Sequence, residues 1–89
     1  MAGMIIQHQV KSFTAWKTGF DSAVGLRKQS GEISSTVYQS ESDPNNVTVV
    51  NKWDSLANAH KFVQSPELIA AMEKSGVVGR PSISFLNEA

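Results

Sequence analysis

An α+β fold with element order β-α-β-β-α-β is what this 89-residue chain predicts, and three observations carry the prediction. Runs rich in β-branched and aromatic residues recur at 4–10, 32–40 and 47–53. Serines open amphipathic segments after the first and third of these runs. A Pro-Asn-Asn turn separates the second run from the third, which makes those two an antiparallel hairpin.

The elements follow in order. Met4, Ile5, Ile6 and Val10 mark the first strand, with His8 on the same side as Met4, Ile6 and Val10. Ser12 suits a helix N-cap because its hydroxyl accepts from free backbone N–H groups. Phe13, Trp16, Phe20, Ala23 and Arg27 then fall near one helical face, with Val24 beside them. Gly19 and Gly25 each weaken a helix by about 1 kcal/mol relative to Ala, which predicts a kink or a close approach. Gly31 is a candidate left-handed stop. Ile33, Val37 and Tyr38 define a second strand over 32–40, and the turn at Asp43-Pro44-Asn45-Asn46 leads into the third, 47–53. Asp54 or Ser55 caps the next helix, whose Leu56, Ala59 and Val63 are apolar, and Ser65-Pro66 restarts a helix. Leu68 and Met72 share a face there. Gly76 and Gly79 end it, and Pro81 opens a last strand over 82–86.

This is the ferredoxin-like pattern, for which right-handed crossovers predict an antiparallel sheet of order 4-1-3-2 with the helices on one face. Neither alternating set of strand residues is wholly polar: Ile5 opposes Met4 and Ile6, Val50 opposes Val47 and Val49, and Leu86 opposes Ile83 and Phe85. Helices cover one face only, so the other predicts packing against a second copy, sheet on sheet, in a barrel-like homodimer. One domain over 1–89 is expected. Eight Lys plus Arg balance eight Asp plus Glu, which gives no field for nucleic acid or an anionic membrane surface. Without cysteine there are no disulfides, thiolate metal sites or thiol nucleophiles. No apolar run reaches membrane-spanning length and no signal segment opens the chain, so a soluble cytoplasmic protein is expected.

The strand-end Trp53-Asp54-Ser55-Leu56, followed after a helix by Ser65-Pro66-Glu67-Leu68, resembles the antibiotic biosynthesis monooxygenase family of the dimeric α+β barrel superfamily. The resemblance spans nearly the whole chain in element order and is sharp over 47–68. It implies a ferredoxin-like protomer, a homodimer, and a cavity between sheet and helices in each subunit. Relatives include oxygenases of polyketide quinols and anthrones that need neither metal nor flavin; others degrade haem, isomerise lactones, process quorum signals or have no known activity. The haem-degrading pattern is broken here. Phe62 stands where those members carry a helix Trp, Met72 near where they carry an iron-ligating His, and no His follows His60.

Candidate site residues follow, each with a plainer reading beside it. His8 can accept or polarise a phenolic proton, or be a hydrogen-bonded, half-buried imidazole. His60 can face the protomer cavity or simply pack at its edge. Neither has carboxylates at ligand spacing, so no metal is expected. Asn51 and Trp53 share a strand face, where an amide beside an indole could orient a planar ligand. Trp53 reads equally as a core anchor, whereas Asn51 in a Val-rich strand needs a partner or a wet cavity. Tyr38 could donate to a ligand carbonyl or cap the dimer seam. Arg80 could hold an anionic substituent at the cavity mouth or be a solvated loop residue. Trp16, Phe62 and Met72 are cavity wall or core. Two functions are compatible with these residues: cofactor-independent oxidation of a small aromatic or polyketide-like molecule, with His8, His60 and Asn51 as catalytic groups; or a non-catalytic homodimer, ligand-binding or stress-related.

Overall fold

The computed structural model describes residues 1–89 and has the expected order, with each helical region divided in two. Its elements are β1 (Ala2–Val10), α1 (Phe13–Ser22), α2 (Val24–Ser30), β2 (Glu32–Gln39), β3 (Asn46–Trp53), α3 (Leu56–Val63), α4 (Pro66–Lys74) and β4 (Val77–Asn87). The antiparallel sheet runs β2-β3-β1-β4, the expected 4-1-3-2 read from the other edge.

The serines act as the sequence suggests. Ser12, Ser55 and Ser65 accept from the backbone N–H groups of Ala15, Asn58 and Leu68, and Pro66 sits in the first turn of α4. Each such cap is worth about 1 kcal/mol. The first helical region breaks at Ala23, between the two glycines. Gly31 closes α2 at φ 115°, a left-handed conformation that costs other residues strain, and its carbonyl accepts from the Asp54 N–H at 2.9 Å. Asn45 ties the hairpin turn to α1 by accepting from the Phe13 N–H at 2.9 Å.

All four helices lie over the sheet face that carries Met4, Ile6, Val10, Val47, Val49 and Trp53. One buried cluster gathers Ala2, Met4, Ile6, Trp53, Ala59 and Phe62; a second gathers Val10, Trp16, Val47 and Val49. The outer face presents Ile5, Val50, Tyr38 and Leu86 among Gln7, Gln9, Thr48, Lys52 and Ser84.

Two irregularities depart from the sequence expectation. The last strand begins at Val77, not Ser82, because Gly79, Arg80 and Pro81 form a bulge inside it. Gln7 pairs with Ser82 and Gln9 with Val78, leaving His8 opposite the bulge. Gly79 supplies the left-handed turn at φ 73°, and Pro81 is tolerated because β4 is an edge strand. The second irregularity lies on β2, where Glu32 pairs with Trp53 and Ser34 with Lys52, so Ile33 is the extra residue. Simple alternation from Val37 and Ser35 would turn Ile33 inward. The bulge instead sends Ile33 outward, exposed, and buries Glu32.

Candidate functional site

Between the two apolar clusters lies a cavity of about 70 Å³, floored by Ile6, His8, Val49 and Asn51 and walled by side chains of all four helices. Trp16 and Phe20 of α1, Phe62 of α3, and Leu68 and Met72 of α4 supply most of its apolar lining. Its polar groups are few: His8, Asn51, Arg27 and Ser75.

His8 reaches the cavity because its strand parity matches Met4 and Ile6. It is only 5% exposed, and neither ring nitrogen has a hydrogen-bond partner. The Trp16 ring meets it edge-on at 5.3 Å between centroids. Burial in these apolar surroundings lowers its pKa from the ordinary 6.5, so the neutral imidazole, with one donor and one acceptor nitrogen, is favoured.

Asn51 lies at the other end of the floor. It pairs across the sheet with Met4, four residues from His8 and therefore about 14 Å away along the strand at about 3.4 Å per residue. Its Nδ2 donates to Glu32 Oε2 at 3.1 Å, while its Oδ1 is buried without a partner. Glu32 Oε1 accepts from Arg27 Nε at 3.2 Å, both side chains being buried. Arg27 in turn donates through Nη1 to the Phe20 carbonyl and lies over the Phe20 ring, 3.7 Å from its centroid. Arg27, Glu32 and Asn51 thus form one buried polar chain, electrically balanced, at one end of an otherwise greasy chamber.

The structure brings five of the nine candidate residues to this cavity: His8, Asn51, Trp16, Phe62 and Met72. The other four lie elsewhere. Trp53 is fully buried in the core against Phe62, with its indole N–H unpartnered. Tyr38 is 56% exposed and projects from the outer face. His60 is exposed on α3 and stacks on Phe85 of β4 at 3.7 Å. Arg80 is exposed within the β4 bulge. Of the two histidines, His8 is the one at the cavity.

Arg27 and Glu32 were not among the sequence candidates. Arg27 did carry a signal, since a charge on the stripe of Phe13, Trp16 and Phe20 requires a buried partner. Glu32 carried none, because its inward direction depends on the Ile33 bulge.

A family model described as antibiotic biosynthesis monooxygenase matches residues 6–74. Among solved structures, the chain is similar to a Bordetella bronchiseptica protein provisionally named an antibiotic biosynthesis monooxygenase, at TM-score 0.83 and 17% identity, over 99% of this chain and 96% of that one. It is also similar to SnoaB, a cofactor-independent oxygenase from Streptomyces nogalater, at TM-score 0.79 and 8% identity, over 99% and 92% of the two chains. A conserved protein from Methanosarcina mazei Go1 superposes at TM-score 0.74 and 17% identity, over 100% of this chain and 94% of that one. No curated protein matches by sequence. At these identities the structural likenesses establish the fold, while the family match spans most of the chain: it belongs to the antibiotic biosynthesis monooxygenase family.

Proposed function

We propose that this protein is a cofactor-independent monooxygenase acting on a small aromatic or polyketide-like molecule bound between the helices and the sheet. The observation that carries the reading is His8: a buried, neutral imidazole with two unpartnered nitrogens at the wall of an apolar cavity. Family membership and the likeness to SnoaB support the reaction class.

The chemistry asks little of the protein. A substrate with an acidic methylene conjugated to a phenol loses a proton to His8 and becomes an electron-rich enolate. That enolate gives its electrons to dioxygen, and a carbon–oxygen bond forms as a hydroperoxide. Loss of water leaves a ketone, so one oxygen atom ends in product and the other in water without an outside reductant. The apolar walls favour this sequence by excluding bulk water and holding the ring system against Ile6 and Val49.

The active form in this reading is a homodimer joined through the outer sheet face, where Ile5, Val50, Tyr38 and Leu86 lie; a single domain suffices for each subunit. A second reading, non-catalytic binding of a small ligand, draws on the cavity size. About 70 Å³ is less than the roughly 150 Å³ of an apolar cavity that accommodates benzene, so a polycyclic substrate requires the walls to part.

Oxygen uptake with anthrone and quinol substrates separates the two. Removing a general base costs about 10²- to 10⁴-fold. Uptake by the wild-type protein that falls at least about 100-fold in His8→Ala is expected; uptake no faster than that of the variant would leave the binding reading standing.

A further inference from the structure

Asn51 is held in one orientation by a residue that the strand goes out of its way to bury. An ionised carboxylate only accepts hydrogen bonds, so the group that faces Glu32 Oε2 must be the Asn51 NH₂. Rotating the amide by half a turn would set its carbonyl oxygen against that carboxylate. Arg27 keeps Glu32 in place from the other side, through Nε on Oε1. The Ile33 bulge is the means by which Glu32 reaches this position, at the expense of leaving an isoleucine exposed. What remains for a ligand is Asn51 Oδ1, an acceptor with no partner of its own.

We propose that Glu32 is a positioning residue that locks the Asn51 carbonyl toward the cavity, so that the site selects ligands bringing a phenolic or enolic hydroxyl to that end. This rests on the reading of the cavity as an aromatic-ligand site and names the substrate feature it recognises. The selection excludes two other classes. A ligand carboxylate placed there meets the Asn51 oxygen and the Glu32 charge, with Arg27 already neutralised. An ether or a ketone brings a second acceptor and leaves Asn51 Oδ1 unsatisfied. His8, by contrast, presents both a donor and an acceptor and imposes no such polarity at its end.

The test pairs 1-naphthol with 1-methoxynaphthalene, which share a ring system and differ in one donor, titrated calorimetrically into the intact protein. Wild type is expected to prefer 1-naphthol by about ten-fold, the value of one buried hydrogen bond. The preference falls to within about two-fold in Glu32→Gln, since a neutral amide at 32 lets Asn51 turn over. Asn51→Leu shows the same loss, and Glu32→Gln/Asn51→Leu loses no more, as residues acting through one contact should. Arg27→Met/Glu32→Gln repeats the measurement without an unpaired buried arginine, should the single variant fail to fold. Equal binding of both probes by wild type would overturn the inference while leaving the aromatic site intact. Binding of neither would overturn the site itself, and the inference with it. A preference that survives in the Glu32 variants would show that Glu32 positions nothing. A ligand-free measurement bears on the same point: the Asn51 side-chain amide protons should exchange with water far more slowly than those of exposed Asn87, and rates alike would overturn the lock.

Discussion

The two faces of the sheet differ in what their polar residues do. On the helix-facing side the buried polar residues are His8, Glu32 and Asn51, and each sits at the cavity or is hydrogen-bonded to a residue that does. On the outer side Gln7, Gln9, Lys52 and Ser84 alternate with Ile5, Val50 and Leu86, and the long polar side chains reach solvent freely. A buried polar residue costs free energy unless it is partnered, so its presence carries information that an exposed leucine does not. The inner face is thus where the proposed chemistry lies, and the outer face where the proposed association does.

The largest effect expected from this contrast is on the inner face. Trp53→Ala removes the fully buried indole packed on Phe62 and should lower unfolding free energy by about 3–5 kcal/mol in urea titrations. Val50→Glu, on the outer face, should leave the unfolding free energy of the dissociated chain within about 0.5 kcal/mol. In sedimentation equilibrium the same variant should weaken the proposed self-association at least ten-fold, because it sets a charge on the apolar outer face that a second copy would have to desolvate. A wild-type protein that sediments as a monomer would break the assignment of the outer face.

The smallest effect is on pH dependence and isolates His8. Its folded-state pKa lies below the ordinary 6.5 because burial disfavours the imidazolium. As pH falls, the unfolded chain binds this proton first, so stability is full above about pH 6.5, declines through the lowered folded value and then levels off. Denaturant titrations of wild type and His8→Leu across this range should differ in slope there, with the flatter profile in the variant. Parallel profiles would mean that His8 is protonated as readily in the fold as in the unfolded chain.

Most of the fold was legible because local signals agreed with one another. Ser12, Ser55 and Ser65 all cap, Gly31 adopts the left-handed stop, and the Asp43–Asn46 segment turns as its residue types require. Strand parity put His8 and Asn51 on the faces they occupy, and helical spacing put Trp16 on the apolar stripe. The cavity itself, and Phe62 and Met72 as its wall, came from the family resemblance; all five line the cavity. The failures share a cause. A strand's alternation identifies faces only while the register is regular, and both bulges break it. One conceals the five residues of β4 before Ser82; the other turns Glu32 inward. For His60, whose place at the edge of the apolar stripe allowed either a cavity-facing or a packing role, the structure has the packing one, against Phe85.

The wall opposite this polar floor has a different character. α4 contains no buried residue, and its Leu68 and Met72 line both the inner chamber and a groove outside it against β4. Substituting either side chain changes the capacity of the chamber without removing the hydrogen bonds that join Arg27, Glu32 and Asn51. Volume and polarity are thus written on separate segments of the chain, and a lineage can retune the bulk of what it admits by editing one peripheral helix.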